Sequence, residues 1–364
     1  MRAVAVFPDQ HDIRVIDVAE PPPPAGHQVL LRVLEVGVCG TDRDIAAFEY
    51  GDPPPGSDHL ILGHEAVAEV LEVGEDVADL RVGDLVVPTV RRPCPDPSCR
   101  ACRARRQDFC TTGAFTERGI KQAHGYLTEL VVEDEHNLIT VPPPLADVAA
   151  LVEPISIAAK AAEQAQAVQQ RLPWEREKAR ILVLGAGPIG MLGAVAMTVT
   201  GFETIVYSRE PADSPRGDKV RELGATYLST EQASVDKISS VVGPIDVIYE
   251  AVGVPAVAFG AIEALAPNGL LILTGIPAPA GPAPLPLDRI MKNLVLNNQA
   301  IVGTVNAGRS AFTLAVQKLE QAMYVVPHSV HAIITKRVPL DDAPETLRAP
   351  HGVKDIIQVA RWPV

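Results

Sequence analysis

The sequence lacks any excess of positive charge: 45 acidic residues against 32 basic ones leave a net charge of −13 at pH 7. A chain of that sign repels phosphate backbones, which argues against nucleic acid and anionic membrane as partners and for a small molecule. Cysteine is sparse. Four of the five cysteines crowd between positions 94 and 110, a pattern of metal ligands in a reducing compartment rather than of a disulfide framework. Residues 181 to 202 carry no charge, but five glycines and Pro188 within them argue against a membrane span. The opening Met1-Arg-Ala-Val-Ala-Val-Phe-Pro8 has too short an apolar run for a secretory signal, so a cytoplasmic location is expected. No internal repeat is present beyond an alternation of strands and helices. A chain of 364 residues is past the size at which one core keeps growing, so two domains are expected.

What is present is organised around Ile181-Leu-Val-Leu-Gly-Ala-Gly-Pro-Ile-Gly190. Ile181 to Leu184 reads as a buried parallel strand, Gly185 as the tight turn and Gly187 as the gap for a pyrophosphate. Gly190 reads as the close helix–strand contact of a dinucleotide-binding turn. Strand and helix patterns then alternate: Thr204 to Tyr207, Asp218 to Leu223, Ile245 to Glu250, Ala256 to Leu265, Leu270 to Thr274 and Asn298 to Thr304. That alternation is what a doubly wound sheet requires. A proline-rich loop is expected at Pro277 to Pro286, an amphipathic helix at Ala311 to Met323 and short strands from Ile333 to Val364.

The front of the chain reads as β: Arg2 to Phe7, Asp12 to Val18, Val29 to Val36, Ala66 to Val73, Asp84 to Pro88, Tyr126 to Val132 and Leu138 to Val141. Cys39 and His64 fall at strand ends where side chains can converge on a metal. Between Arg91 and Cys110, four thiols (Cys94, Cys99, Cys102 and Cys110) span seventeen residues, close enough to wrap one tetrahedral zinc. Arg91, Arg92, Arg100, Arg103, Arg105 and Arg106 accompany them and are expected to form a solvated basic face or a subunit contact. A helical pattern from Ala149 to Gln169 places Glu153 near a helix start, and Pro173 to Lys178 reads as a polar linker.

In this order the motifs Cys39-Gly-Thr-Asp42, Gly63-His-Glu65, the cysteine lobe, Glu153-Pro154 and the glycine turn resemble those of the zinc-dependent medium-chain dehydrogenases over essentially the whole chain. Pro88-Thr-Val-Arg-Arg92, Phe115-Thr-Glu-Arg-Gly-Ile120, His124-Gly125 and Gly303-Thr-Val-Asn306 are most similar to the microbial, archaeal-type glucose dehydrogenases among them. The resemblance implies an α/β chain. A GroES-like β-rich catalytic domain would take residues 1–155 and 306–364, with a structural zinc lobe at 91–112. A doubly wound parallel-sheet (Rossmann) domain would take residues 156–305.

It implies a catalytic zinc on Cys39, His64 and Glu153, with Glu65 as an exchangeable fourth ligand, and a structural zinc on Cys94, Cys99, Cys102 and Cys110. Thr41 would bond the substrate hydroxyl and pass its proton outward, and Glu117, Glu153 and Asn306 would contact a polar substrate. Gly185, Gly187, Pro188, Ile189, Gly190, Ser208, Arg209, Thr274, Gly275, Ile276, Thr304, Val305 and Asn306 would hold the nucleotide. Two departures stand out. Cys94 and Cys99 are separated by four residues where the family usually has two, and Asp44 stands where many alcohol dehydrogenases carry a relay histidine.

The expected reaction is oxidation of an aldose, D-glucose above all, at C1 to the lactone. The alternatives are a polyol, threonine or secondary-alcohol dehydrogenase of the same family, and a non-catalytic nucleotide sensor, against which intact Cys39, His64 and Glu153 speak. For the cofactor, an NAD-selective fold places an acid at the end of the second strand. Here Tyr207-Ser-Arg-Glu210 puts Ser208 and Arg209 there, which favours NADP, with NAD accepted more weakly. A homo-oligomer, dimer or tetramer, is expected from family habit.

Overall fold

The ten-residue strand Gln28–Gly37 is apolar along most of its length and is the axis of the first half of the protein. In the computed structural model, which describes residues 1–173, 178–277, 281, 284–349 and 352–362, it pairs antiparallel with three strands: Glu65–Val73, Leu130–Asp134 and Lys354–Gln358. Ile334–Pro339 on one side and Leu85–Pro88 and Leu138–Thr140 on the other complete a seven-stranded sheet. Arg2–Phe7 lies between Asp12–Asp17 and Leu60–Ile61 in a three-stranded sheet. A second small sheet joins Arg91–Arg92, Thr116–Arg118 and Gln122–Ala123.

The register of the main sheet sets the chemistry: Gly37 faces Glu65 on one side and Ile356 on the other. Gly37 is required by close approach, since a Cβ there would stand 2.1 Å from Glu65 Oε2. Gly63 is required by conformation, because its φ of +89° is one that other L-residues rarely adopt.

The other sheet is parallel throughout, in the order Thr226–Ser229, Glu203–Ser208, Arg180–Leu184, Ile245–Glu250, Leu265–Leu273, Ala300–Gly303. This is the 3-2-1-4-5-6 order of a doubly wound dinucleotide fold, with its switch point between the strands ending at Leu184 and Glu250. Leu182, Leu184, Ile205, Ile248 and Leu271, all buried, form much of its core.

The chain divides into two compact units: Met1–Glu153 with Asn306–Val316 and Ile333–Val364, and Pro154–Val305 with Gln317–Ala332. Residues 317–332 thus fall with the nucleotide-type sheet, not with the catalytic domain as expected from sequence. Lys219 Nζ holds the Ala332 carbonyl at 2.9 Å, and Ser329 Oγ donates to the Glu222 carbonyl at 3.1 Å.

Other differences are local. The expected Tyr126 to Val132 strand is Leu130–Asp134, because Tyr126 and Leu127 bond instead to the chain around Gly63. The strand Thr226–Ser229 and the helix Leu287–Leu296 were not expected from the sequence. The helix expected from Ala256 to Leu265 stops at Gly260, gives way to a 3-10 turn and yields Leu265 to the next strand. Residues 174–177 of the expected linker, and 278–280 and 282–283 of the proline-rich loop, lie outside the described residues.

Candidate functional site

Cys39 caps the helix Gly40–Ala46, and the cap is reciprocal: the Asp42 carboxylate accepts from the Cys39 amide at 2.8 Å. The other Asp42 oxygen lies 3.3 Å from His64 Nδ1. Asp42 and His64 are both buried, and neither Asp42 Oδ1 nor His64 Nδ1 has a well-directed hydrogen-bond partner. A carboxylate behind one imidazole nitrogen is how metal-binding histidines are oriented, leaving the far nitrogen for the ion.

Donor atoms of Cys39, His64 and Glu65 lie within 4.8 Å of one another. Glu153, in the first turn of the helix Val152–Gln169, is buried beside them but is not a member of that tightest group. Burial pushes its carboxyl up to about 7; His64 and Lys354 pull it down, while Glu65 and Asp42 raise it further. A half-buried thiol with a buried imidazole and two buried acids forms a donor set that fits a zinc ion. Thr41 is half-buried in the first turn of the same short helix, whereas Asp44 is exposed on its outer side.

Lys354 was not singled out by the sequence. It is 1% exposed, and its Nζ meets both oxygens of the fully buried Glu65, at 2.8 and 2.7 Å, and the Val38 carbonyl at 3.2 Å. No sequence signal marks it, since the two residues are 289 positions apart and only strand pairing brings them together.

Of the substrate candidates, Glu117 is held through one carboxylate oxygen by Arg91 Nε at 3.0 Å and Asn306 Nδ2 at 3.1 Å. Asn306 sits at φ +59° and uses its Oδ1 to accept from the Ala307 amide. Arg91 is therefore buried in an ion pair and Arg92 is spent on Glu133, which corrects the expected basic face. Arg100, Arg103 and Arg105 remain exposed, and Arg106 pairs with Asp108.

In the lobe, the sulfurs of Cys94, Cys99, Cys102 and Cys110 all come within 4.8 Å of one another, so the wider first spacing does not keep Cys94 out. The backbone amides of Cys102 and Thr111 bring the Cys99 thiol down to about 6, while burial pushes Cys102 up to about 12. Four convergent sulfurs met by amide hydrogens fit a closed tetrahedral zinc.

In the second unit, the helix Pro188–Thr198 starts at Gly187, with Pro188 and Ile189 in its first turn. Gly185 has φ +102°, and a Cβ on Gly190 would stand 2.0 Å from the Gly185 carbonyl oxygen. Above Gly187 a Cβ would meet nothing within 4 Å, the open space a pyrophosphate needs over a helix N-terminus. Glu250, read in the sequence only as a strand end, shapes the neighbouring loops. Its carboxylate accepts from the amides of Val252, Gly253 and Gly275 at 2.7, 2.6 and 3.0 Å. Thr274 Oγ1 donates to the Glu250 carbonyl, the Thr304 amide donates to the Leu273 carbonyl at 2.9 Å, and Ile276 and Val305 are exposed.

At the end of the second strand Arg209 is exposed, while the Ser208 hydroxyl donates to Glu210. Arg216, also missed by the sequence, has its Nε 3.7 Å from Glu210 Oε1 and donates to the Ala186 carbonyl of the glycine turn at 3.2 Å.

Residues 25–143 match the alcohol dehydrogenase GroES-like domain, and residues 146–359 match the glucose dehydrogenase C-terminus. The chain is 39% identical over 360 residues to glucose 1-dehydrogenase of Methanocella arvoryzae, covering 99% of this chain and 98% of that protein. It is likewise 39% identical over 370 residues to glucose 1-dehydrogenase of Thermoproteus tenax, covering 99% of each. The structure of Haloferax mediterranei glucose dehydrogenase in complex with NADP, Zn and gluconolactone superposes with a TM-score of 0.90 at 33% identity, covering all of both chains. With both units accounted for by these models and the full length shared with these relatives, the chain belongs to the glucose dehydrogenases among the zinc-dependent medium-chain dehydrogenases.

Proposed function

We propose that this protein oxidises an aldose, D-glucose foremost, at C1 to the lactone and passes the hydride to NADP in preference to NAD. The observation that carries the reading is the convergent Cys39–His64–Glu65 group, half-buried at Cys39 and buried at the other two, backed by Asp42, Lys354 and Glu153, in a chain similar at full length to glucose dehydrogenases. Cys39, His64 and Glu153, with Glu65 beside them, would hold a zinc ion, which would supply a Lewis acid that lowers the pKa of the substrate hydroxyl, and bound nicotinamide would supply the hydride acceptor. Thr41 accepts a hydrogen bond from that hydroxyl and carries its proton outward. Glu117, fixed by Arg91 and Asn306, offers a polar surface of the kind a sugar needs and an aliphatic alcohol does not. Asp42 holds the His64 ring and Lys354 holds Glu65, so neither has to be ordered when substrate arrives.

NADP preference rests on Arg209, an exposed cation at the ribose end, and on the engagement of Glu210 by Ser208 and Arg216. A homo-oligomer is supported by the helix Leu287–Leu296. Its residues Leu287, Met291, Val295 and Leu296 are each about two-thirds exposed next to the edge strand Ala300–Gly303. Among the described residues no helix is long and apolar enough to cross a membrane. Five free thiols, four of them gathered for a metal, support a reducing cytoplasm.

The test is a steady-state screen of glucose and other aldoses, sorbitol, threonine and 2,3-butanediol with each nicotinamide cofactor. Glucose with NADP should give a kcat/KM at least about tenfold above every non-sugar, a gap of about 1.4 kcal/mol in transition-state binding. Turnover confined to polyols, threonine or secondary alcohols would replace the sugar reading. Nucleotide binding without turnover of any substrate would favour a sensor.

A further inference from the structure

Beside the Cys39 group and the cysteine lobe, a third set of metal-ligating side chains meets on the first unit. One donor atom each from His27, Glu135 and His136 lie within 4.8 Å of one another. The main sheet fixes this meeting. His27 directly precedes the strand Gln28–Gly37, and Glu135 directly follows Leu130–Asp134; the two strands pair antiparallel with Asp134 opposite Gln28. The ladder is extended by one more bond, from the Glu135 amide to the His27 carbonyl at 3.0 Å. The three residues are therefore neighbours by register.

Each side chain is also held in the pose of a ligand. Glu135 is buried, with one oxygen taking the amides of Ala78 and Asp79 at 3.2 and 3.4 Å and the other 2.7 Å from His27 Nδ1. His136 Nδ1 lies 2.7 Å from Asp134 Oδ1. His136 thus leans its Nδ1 on Asp134 and keeps Nε2 for another partner, as histidines at metal centres do, whereas His27 Nδ1 faces Glu135 Oε1 directly, the two donors an ion between them would bridge. The ring centroids are 5.3 Å apart. The side chains of His27 and His136 are 51% and 37% exposed, so their rotamers can close the remaining gap and water can reach an open coordination position. Tetrahedral zinc at 2.0–2.1 Å from its ligands sets them about 3.4 Å apart, so no pair of these donors has to change its separation by more than about 1.4 Å. Asp76 and Asp134 add negative charge around His27.

We propose that His27, Glu135 and His136 form a third metal site, which takes a divalent ion of the zinc, nickel or copper class. Two imidazoles and one carboxylate select such ions over calcium and magnesium, which require oxygen ligands. Bound there, the ion cross-links the start of one central strand to the end of its neighbour, so its effect is on the stability of the first unit.

The experiment compares untagged full-length protein with H27Q, H136Q and the double variant. Both histidines are exposed, so none of the substitutions disturbs a core. Calorimetric titration with Ni²⁺ should show one ion more per chain in the wild type than in the double variant, with a micromolar dissociation constant. Each single variant should weaken that extra binding at least about tenfold. With Cu²⁺, the extra ion should show a two-nitrogen paramagnetic resonance signature that the double variant lacks. Added Ni²⁺ should raise the melting temperature of the wild type by about 4 °C more than that of the double variant. Equal stoichiometry in wild type and double variant, or an extra site weaker than about 1 mM, overturns the proposal.

Discussion

Lys354 ends inside the Cys39 group with three hydrogen-bond acceptors around its ammonium, two of them the oxygens of Glu65. Neither member of this pair is exposed to water. Removing one member of such a pair leaves a buried charge without compensation, which costs about 3–5 kcal/mol. Lys354→Met should therefore lower the free energy of urea unfolding by that order. Glu65→Gln in the same chain should recover most of the loss, because it removes the orphaned charge. A Lys354→Met protein as stable as the wild type would show that the pair does not hold the site together. At the other end of the molecule's chemistry, Arg209→Ala should raise KM for NADP about tenfold or more and leave KM for NAD within about twofold, since only NADP has a phosphate to lose. Equal effects on both cofactors would shift the selectivity to Arg216 and Glu210. Cys39, His64 and the four lobe cysteines could be singled out from sequence because ligand chemistry is written in residue type and spacing. Lys354, Asp42 behind His64 and Arg216 could not, because each acquires its partner only through folding.

At the scale of elements, Glu133 shows how the small sheet is fastened to the large one. It is the next-to-last residue of the strand Leu130–Asp134, and one of its oxygens receives Arg92 from Arg91–Arg92, Arg118 from Thr116–Arg118 and the Tyr126 hydroxyl, at 2.6, 2.8 and 2.9 Å. Its other oxygen takes Asn137 Nδ2 at 3.2 Å and the Asp134 amide at 3.1 Å. Burial alone would raise this carboxyl, but the two guanidiniums win and hold it down at about 2. A depressed carboxylate contributes stability that is complete above its unfolded pKa, about 4.3, and is lost as pH falls from there toward 2. Glu133→Gln should remove about 3 kcal/mol at pH 7 and flatten the acid side of the stability profile in that window. An unchanged slope between pH 4.3 and 2 would place the acid sensitivity elsewhere. Arg91 and Arg92 read as part of a solvated basic face in the sequence because their acids, Glu117 and Glu133, lie on other strands. The cysteine lobe that follows was legible as one local unit, and Cys102→Ser should lower its melting temperature by several degrees while turnover per folded molecule is kept. Unchanged melting and unchanged metal content would mean free thiols.

Across the whole molecule, the β-rich front and the strand–helix alternation behind it were legible because apolar period and glycine punctuation are local. The strand Thr226–Ser229 escaped because it is only four residues long, and the return of residues 317–332 to the second unit escaped because helical periodicity does not say which core a helix faces. The division has a chemical consequence. Cys39, His64, Glu65, Glu153 and the four lobe cysteines belong to the first unit, whereas the glycine turn, Ser208, Arg209, Thr274 to Ile276, Thr304 and Val305 belong to the second; Asn306 is the one nucleotide candidate in the first. On the proposed assignments metal and nucleotide would be held by separate sets of residues, and loss of one should leave the other in place. Protein treated with a chelator mild enough to spare the buried cysteine lobe should lose turnover by about 10³-fold, the several kcal/mol a Lewis acid contributes. Its dissociation constant for NADP, read by calorimetry, should stay within about threefold of the untreated value, a change below 1 kcal/mol. Re-addition of zinc should restore turnover without altering NADP affinity. If NADP binding instead weakened about tenfold or more with the metal gone, the two sites would be energetically coupled and the division into independent binding units would be wrong.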